Sequence, residues 1–534
     1  MLIPEIARRA LAGVLSATAV VNSTQICAPS AIPYPEIPGI QILDFKAVEV
    51  VDYSASVQGI WDSPQTNLTG LSFCNVTLTY THPGQGDVIN LQTWLPLKAW
   101  NGRFQGISGG GWITGWTNTL GLRVHQGYAA SVTDGGHSDT DILAEGWALF
   151  KNGSVNTPLL EDFSYVALHE LAVIGKMITK SYYGKPPSYS YWNGCSTGGR
   201  QGNVFAQRFP EDFDGIVAAA PAINWATFIV SEYWPQVVMN ILRVYPELCE
   251  FNAITAAVVE ACDGLDGVAD GIVSAPGLCE FDPHSLVGTS YQCDGVNRTI
   301  TKEAAIIAEQ TWKGPFSPDG VNRRWYGLNK DASLWLLPGT KCEVDSTGRR
   351  SCTGLPFWVA EEWIRLFVIN NATYDLTTLN YEQYDALFDE SVRKFDQVIS
   401  TANPDLSGFR ARGGKMITWH GLSDPAIPTN GSAHYYQQVL QKDPKASDFF
   451  RYFEVPGTDH CGQGTGPYPR GVLDSLIAWV EKGQAPQTLR GEFINATTGQ
   501  VEMRRDICQW PLVAKYIGGD FTQASSFVCS EGFF

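Results

Sequence analysis

Residues 191–202, YWNGCSTGGRQG, are the stretch that most restricts how this 534-residue chain can fold. A run typical of a β-strand meets a glycine-rich turn, and a run with the character of an α-helix follows at once. Such a turn is typical of parallel sheets that are covered by helices. Around it, residues 164–184 show helical periodicity, and strand-like runs occur within 213–225 and 413–428. The sequence therefore predicts an α/β fold with a mostly parallel sheet.

Two parts of the chain depart from this alternation. Residues 26–90 read as antiparallel strands, since short apolar and polar runs alternate there. Residues 226–395 are irregular and rich in cysteine and aromatic residues, which indicates an inserted domain. We therefore expect residues 23–225 and 396–534 to form one core domain. The helix over 472–483 is expected to close it.

The turn carries the pattern Gly-x-Ser-x-Gly, from Gly194 to Gly198, which is that of a nucleophile elbow. In a chain with 53 glycines the pattern alone is weak, because an ordinary strand-to-helix turn also satisfies it. Its position between a predicted strand and a predicted helix makes Ser196 a candidate nucleophile. A serine hydroxyl needs a general base, and that base needs an orienting carboxylate.

Two later strand ends supply these partners. Asp424 follows the strand in MITWHGLSD, and His460 follows the strand in YFEVPGTDHCG. The order Ser, Asp, His is the one found in α/β-hydrolases. His420 lies inside a strand and is expected to be structural. Asp459 is a rival carboxylate, but a residue adjacent to His460 is expected to point away from the imidazole.

A cysteine stands beside each of the two reacting residues. Cys195 precedes Ser196, and Cys461 follows His460. If the serine and the histidine meet, the two cysteines also come within reach of a disulfide. We therefore predict a Cys195–Cys461 bond that ties the elbow to the histidine loop and limits drift between the reacting groups.

The oxyanion formed during acyl transfer needs backbone N–H donors. We predict one from Thr197, the residue after the nucleophile. The second is expected from the glycine turn at 109–111, with Gly110 and Gly111 as the candidates.

The other ten cysteines pair most simply with near neighbours, and the last pair is left by elimination. The predicted bonds are Cys27–Cys74, Cys262–Cys279, Cys342–Cys352, Cys508–Cys529 and Cys249–Cys293.

The segment CDGLDGVADGIVSAPGLC, from Cys262 to Cys279, holds a glycine-rich acidic loop. Carboxylates and backbone carbonyls are the ligands that Ca²⁺ prefers. The spacing is not that of an EF-hand, and an ordinary acidic turn explains the residues equally well. A disulfide around the loop favours a structural ion. The candidate ligands are Asp263, Asp266, Val268, Asp270 and Ile272.

The net charge of −17 argues against nucleic acid and anionic membranes as partners. Residues 1–22 resemble a signal peptide, because Arg8 and Arg9 precede an apolar run that is too short to span a membrane. Twelve cysteines without a C-x-x-C pair favour disulfides over a metal site. A secreted, extracellular glycoprotein is therefore expected. The glycosylation sequons are at Asn22, Asn67, Asn75, Asn152, Asn297, Asn371, Asn430 and Asn495.

GCSTGGRQG, GLSDPAIP and DHCGQGTG together resemble the three catalytic blocks of the fungal tannase and feruloyl esterase family, and CDGLDGVADGIVS resembles its calcium loop. The resemblance implies an α/β-hydrolase core with residues 226–395 as a large lid that holds structural calcium. It also implies hydrolysis of phenolic carboxylic esters. A homodimer is one oligomeric state that the sequence allows.

Within that family we expect a feruloyl esterase that releases ferulate-type acids from plant esters, with a tannase acting on gallate esters as the alternative. Lid aromatics are expected to sandwich the phenolic ring, with Trp225, Trp234 and Trp358 as candidates. A catalytically inactive binding protein and a serine peptidase are the remaining alternatives.

Overall fold

The computed structural model describes residues 26–33, 37–57, 65–347, 350–495 and 497–533. The predicted signal peptide, residues 1–22, lies outside the described residues. The β-strands are β1 Gln41–Val57, β2 Thr66–Thr81, β3 Ile89–Pro96, β4 Arg103–Ile107, β5 Ala129–Thr133, β6 Tyr189–Cys195, β7 Gly215–Ala219, β8 Ser290–Cys293, β9 Val296–Thr299, β10 Thr340–Val344, β11 Arg350–Gly354, β12 Lys415–Gly421, β13 Phe450–Val455, β14 Tyr468–Arg470, β15 Thr488–Ile494, β16 Val501–Cys508, β17 Val513–Tyr516 and β18 Phe527–Ser530. The α-helices are α1 Leu120–His125, α2 Thr157–Ser164, α3 Val166–Tyr183, α4 Thr197–Arg208, α5 Trp225–Glu232, α6 Trp234–Leu242, α7 Leu248–Cys262, α8 Lys302–Lys313, α9 Trp358–Glu362, α10 Tyr381–Ile399, α11 Ser407–Ala411, α12 Thr429–Lys442 and α13 Val472–Lys482.

A nine-stranded sheet organises the chain, in the order β1-β2-β3-β5-β4-β6-β7-β12-β13. The pairs from β1 to β5 are antiparallel. All pairs from β5 through β4 to β13 are parallel. The predicted α/β fold and the antiparallel strands of residues 26–90 are thereby confirmed. The carboxyl ends of the parallel strands share one edge, which is where ligands bind in such sheets.

Side chains of the parallel strands alternate between two buried faces, because successive residues of a strand point to opposite sides. In β6, Trp192 packs into the core that contains Leu171 of α3 and Phe205 of α4. Tyr191, its neighbour, packs into the core on the other side, with Trp479 of α13. Helices therefore cover both faces of the sheet around the elbow.

The chain leaves this sheet after β7 and returns to it at β12. The intervening residues 226–395, which we call the inserted segment, consist mainly of helices, with the short hairpins β8–β9 and β10–β11. Its helices share one hydrophobic core with Trp112, Trp147 and Phe163 of the chain before it. The inserted segment is therefore packed directly onto the region around the glycine turn.

The helix expected at 472–483 is present as α13, but it is not the last element, because β15 to β18 come after it. A three-stranded sheet β14-β15-β16 and the pair β17–β18 follow or flank it. These strands were missed because they carry many polar residues, which gives a weak alternation signal. None of the helices in the described ranges combines the length and the apolarity that crossing a bilayer requires.

Candidate active site

Ser196 lies at the tip of a sharp turn between β6 and α4, as the sequence predicts. Its backbone has φ 62° and ψ −124°, a strained conformation for a residue with a side chain. The Ser196 N–H donates to the carbonyl of Ala219 at 3.0 Å, and its own carbonyl accepts N–H groups from Arg200 at 3.0 Å and Ala222 at 3.1 Å. These bonds to the next strand and helix hold the strained residue in place.

Two glycines make this turn possible. A Cβ on Gly194 would lie 2.4 Å from the carbonyl oxygen of Gly198, and a Cβ on Gly199 would lie 2.4 Å from that of Ala219. Both distances are too short for any side chain. The glycines are therefore required because backbone approaches backbone at the elbow.

Asp424 follows β12 and is buried, with 1% of its surface exposed. Its Oδ1 accepts N–H groups from Ala426 at 2.8 Å and Ile427 at 2.9 Å. Its Oδ2 lies 2.7 Å from Nδ1 of His460 and 3.0 Å from Nε2 of His420. Burial alone would raise the pKa of Asp424, but the two histidines hold it well below its usual range. The carboxylate is therefore charged and fixed in orientation.

His460 follows β13 and faces the same cavity as Ser196. Because Nδ1 binds Asp424, Nε2 is the ring nitrogen left for the cavity. Burial lowers the pKa of His460, but the charge and hydrogen bond of Asp424 outweigh this and raise it above 6.5. The pair has the arrangement that a general base and its orienting carboxylate require.

His420 and Asp459 lie close to the Asp424–His460 pair, but their contacts differ from those of the pair. His420 is fully buried in β12 and bridges Asp424 to the hydroxyl of Ser432, with Nδ1 2.8 Å from Oγ. It contacts Asp424 and is not part of the cavity wall, which agrees with the structural role expected from its position inside a strand. Burial and then the charge of Asp424 raise the pKa of Asp459 to about 6. Asp459 is therefore less suited to stabilise a histidinium ion than Asp424.

The Cys195–Cys461 disulfide joins the elbow to the histidine loop, with the two Cα atoms 5.8 Å apart. Cys461 itself has a positive φ of 62°, so the histidine loop is sharply bent at the bond. The other predicted pairs are also formed. They are Cys27–Cys74, Cys249–Cys293, Cys262–Cys279, Cys342–Cys352 and Cys508–Cys529.

The glycine turn at 109–111 lies against the elbow, because the Thr197 hydroxyl donates to the carbonyl of Gly111 at 2.8 Å. The N–H of Gly110 already donates to Ile113 at 3.1 Å, and that of Gly109 to Oε1 of Gln201 at 3.2 Å. Gly111, which has a φ of 57°, is therefore the better candidate of the two predicted glycines for an oxyanion donor.

A cavity of about 390 Å³ contains Ser196 and His460. This volume lies in the range of small-molecule sites. Most of its wall is apolar and aromatic, and most of the aromatic side chains come from the inserted segment. The aromatic lining residues are Trp116, Trp225, Phe228, Trp335, Phe357 and Trp358.

The three tryptophans predicted from sequence have different positions. Trp225 lies in the cavity wall and is buried, and Trp358 lies in the wall and is 36% exposed. Trp234 was wrongly expected there. Its ring packs against Tyr381 and Tyr384 in the core, with centroids 5.0 and 5.5 Å apart. Aromatic residues on one helix are more often core than ligand contacts, and Trp234 follows that rule.

Arg200 and Gln201, which follow the elbow in α4, hold it in place through buried hydrogen bonds. Arg200 is fully buried and donates to the carbonyls of Ser164 and Phe163 at 3.0 and 3.2 Å. Gln201 links α4 to the glycine turn, accepting from Gly109 and donating from Nε2 to the carbonyl of Thr114 at 2.9 Å. Neither role was found from sequence, although both residues lie in the same short motif.

The acidic loop from Cys262 to Cys279 is closed by their disulfide. The Asp263 carboxylate accepts N–H groups from Asp270 at 3.0 Å, Gly271 at 2.9 Å and Ile272 at 3.2 Å. The loop is therefore folded around Asp263.

The other two aspartates of this loop lie beside it. Asp266 accepts the N–H of Val268 at 3.1 Å, and Asp270 forms an ion pair with Arg505 of β16. Burial is the main cause that raises the pKa of both Asp266 and Asp270. Three carboxylates with one neighbouring cation leave the loop with excess negative charge.

Comparison with known proteins places this geometry in a family. The family described as "Tannase and feruloyl esterase" matches residues 74–530. A probable feruloyl esterase from Arthroderma benhamiae is 39% identical over 98% of this chain and 97% of its own length. A tannase from Aspergillus oryzae is 31% identical over 86% of this chain and 85% of its own.

A solved structure shares the architecture as well. Tannin acyl hydrolase from Aspergillus niger superposes with a TM-score of 0.81 and 28% identity, covering 94% of this chain and 93% of that one. The match includes the inserted segment, since it covers nearly the whole chain. The chain therefore belongs to the tannase and feruloyl esterase family, and it is a carboxylic ester hydrolase with an α/β-hydrolase fold.

Proposed function

We propose that this protein is a secreted feruloyl esterase that releases hydroxycinnamic acids of the ferulate and caffeate type from plant esters. The observation that carries the proposal is the shared cavity of Ser196 and His460, whose walls are aromatic. An aromatic acyl group fits such walls because stacked and edge-on ring contacts stabilise it beyond simple burial. The most similar relative named above is itself a probable feruloyl esterase.

The first step transfers the acyl group to the enzyme. Nε2 of His460 accepts the proton of Ser196 Oγ as Oγ forms a bond to the ester carbonyl carbon. The histidinium ion is stabilised by Asp424, whose Oδ2 holds Nδ1 at 2.7 Å. The same proton then goes to the alcohol oxygen, and the bond between the carbonyl carbon and that oxygen breaks.

The second step releases the acid. Water replaces the alcohol, gives a proton to His460 and attacks the acyl-enzyme, and Ser196 recovers its proton as the carboxylic acid leaves. In both steps the carbonyl oxygen becomes an oxyanion. Backbone N–H groups of Thr197 and Gly111 are the donors we propose for it, because both residues line the cavity beside Ser196.

Initial rates on methyl ferulate, methyl caffeate and methyl gallate test the substrate class. A feruloyl esterase should hydrolyse the two hydroxycinnamates and prefer them to gallate. A preference for gallate would instead support the tannase alternative. The similarity of this chain to the tannase from Aspergillus oryzae is the observation that favours this alternative. An inactive binding protein would show no Ser196-dependent hydrolysis of any of the three.

The raised pKa of His460 predicts a pH dependence. The base must be neutral to accept a proton, so kcat/KM should fall as the pH drops through this pKa, which lies above 6.5. In Asp424→Asn the carboxylate is lost, so the acid limb should move to lower pH and kcat should fall by about 10⁴-fold. A pH–rate profile of both proteins on methyl ferulate measures this. An acid limb that stays in place in the variant would contradict the pairing.

We also propose that the acidic loop binds a structural calcium ion. The residues that would hold it are the carboxylates of Asp263, Asp266 and Asp270 and the carbonyls of Val268 and Ile272. The excess negative charge of this disulfide-closed loop supports the proposal, since oxygen-rich acidic loops suit Ca²⁺. The ion would stabilise the inserted segment and take no part in acyl transfer.

Removing the ion should lower the melting temperature by a few °C, because a ligand that binds only the folded state stabilises it. The measurement is thermal unfolding with added Ca²⁺ and with a chelator. Asp263→Asn is the matched control, since it should melt at the lower temperature and show no response to the chelator. Equal melting curves for the unmodified protein with and without chelator would refute the site.

The proposal of secretion rests on the cysteines and the sequons. All twelve cysteines are paired, which is typical of an oxidising compartment. Among the residues that the structure describes, five sequon asparagines are exposed to solvent and are therefore accessible to glycosylation. They are Asn67, Asn152, Asn297, Asn371 and Asn430.

A further inference from the structure

We propose that Glu232 forms a polar subsite in the catalytic cavity that hydrogen-bonds a ring hydroxyl of the phenolic acyl group. This inference rests on the proposed function and adds a specificity-determining residue to it. We assign this role to Glu232 because it lies in the cavity wall, is buried and lacks a hydrogen-bond partner.

One face of helix α5 forms part of the cavity wall. Trp225, Phe228, Ile229 and Glu232 all line the cavity. Their spacing of i, i+3, i+4 and i+7 places them along one face of the helix. Three of the four side chains are apolar, and Glu232 is the last. This mostly apolar stripe of the cavity wall therefore ends in a carboxyl side chain.

Helix α5 begins near Ser196, and its cavity-lining residues lead away from Ser196 toward Glu232. Ala222, just before α5, lines the cavity and donates its N–H to the carbonyl of Ser196 at 3.1 Å. Trp225 and Glu232 are separated by about 10 Å along the helix axis, from the rise per residue. A group bound at Ser196 by its carbonyl can thus extend along the aromatic face of α5 toward Glu232.

Glu232 lacks the partners that a buried carboxyl needs. It is 2% exposed, each carboxyl oxygen has less than 1 Å² of exposed surface, and neither has a hydrogen-bond partner within the described part of the chain. Buried polar groups are normally satisfied, and one that is not satisfied in the free protein destabilises it. An unsatisfied carboxyl in the wall of a ligand cavity is best explained by a partner that the substrate supplies, and a rotation of the Glu232 side chain that opens one oxygen to the cavity is part of the proposal.

The protonation state of Glu232 indicates the chemistry of that partner. Burial, and then the charge of Asp424, raise the pKa of Glu232 well above its usual value. These two effects favour the neutral acid, which has one O–H donor and free acceptor sites. A phenolic hydroxyl is also both donor and acceptor, so the two groups can pair in either sense. A ring without a hydroxyl would leave Glu232 unsatisfied.

The inference predicts how the unmodified enzyme ranks its substrates. It should hydrolyse methyl 4-hydroxycinnamate with a kcat/KM about tenfold or more above that of methyl cinnamate, because only the former satisfies Glu232. Methyl 4-methoxycinnamate cannot donate a hydrogen bond and should lie between the two. Equal rates for all three esters would overturn the inference without requiring any variant to fold.

Glu232→Met tests the residue directly, because methionine is similar in length and apolar. It should lower kcat/KM for methyl 4-hydroxycinnamate by about tenfold or more and change that for methyl cinnamate little. It should also raise the melting temperature, since an unsatisfied buried carboxyl is replaced by an apolar group. Glu232→Gln keeps a donor and an acceptor and should retain the preference for the hydroxylated ring.

Glu362→Met is the matched control. Glu362 is also a buried acid of the inserted segment, but its Oε2 accepts the N–H of Ala144 at 3.0 Å, and it is not in the cavity wall. This variant should melt at a lower temperature and keep the ratio of the two rates. A parallel loss on both esters in Glu232→Met, or a lower melting temperature, would show a structural role and overturn the inference. If the unmodified enzyme hydrolysed none of the esters, the proposed function would fail and the inference with it.

Discussion

Replacing Ser196 with alanine should lower kcat on methyl ferulate by about 10⁴-fold or more. The hydroxyl is the only group at the tip of the elbow that can form the acyl-enzyme, and alanine cannot replace it. Binding should change little, since the cavity walls remain. The measurement is initial rates at high enzyme concentration, with KM or inhibitor affinity as the check on binding.

The folding control for this variant is its melting temperature, which should stay near that of the unmodified protein. The double variant Ser196→Ala with His460→Ala should be no slower than either single variant, because the two residues act as one unit. Additive losses would show that His460 serves a purpose other than activating Ser196. Substantial activity in Ser196→Ala would refute the nucleophile.

Removing the Cys195–Cys461 bond should cause the second large loss. The double variant Cys195→Ala and Cys461→Ala frees the histidine loop from the elbow, and a displacement of about 1 Å between reacting groups costs about 10²-fold in rate. The bond also closes 266 residues of sequence, for which a chain-entropy model gives about 5.6 kcal/mol of stability. The expected result is a lower kcat already at temperatures where the variant is fully folded.

The chain offers a matched control in the Cys342–Cys352 bond. It closes only 10 residues of sequence, across the hairpin β10–β11, and neither cysteine lines the cavity. Its double alanine variant should keep its kcat and lose less stability. Equal kcat values for both variants would mean that the Cys195–Cys461 bond contributes only to folding.

The reacting residues could be predicted because each follows a strand of the parallel sheet. Ser196, Asp424 and His460 come after β6, β12 and β13, and the carboxyl ends of parallel strands meet at one edge. Local sequence shows a strand and the residue after it, so this part of the site needs no knowledge of distant contacts. The cysteine pair followed from the same placement, since neighbours of contacting residues are themselves close.

Other parts of the site depend on packing between distant segments, which local sequence does not show. Trp234 and Trp225 lie on neighbouring helices with similar composition, yet only Trp225 faces the cavity. Gly110 and Gly111 differ through a hydrogen bond to Ile113 that a glycine run cannot reveal. Glu232 is another case, because its unpaired state appears only once the inserted segment is folded over the sheet.

Trapping the acyl-enzyme tests most directly whether Ser196 is the nucleophile. The protein is mixed with excess methyl ferulate, quenched with acid within the first turnovers, digested and mapped by mass spectrometry. We expect one feruloyl group on the peptide that carries Ser196. It should be absent from the Asp424→Asn sample at equal time, because acylation of that variant is slow. Turnover of methyl ferulate with a feruloyl group on another residue would contradict the assignment of Ser196 as the nucleophile of this esterase.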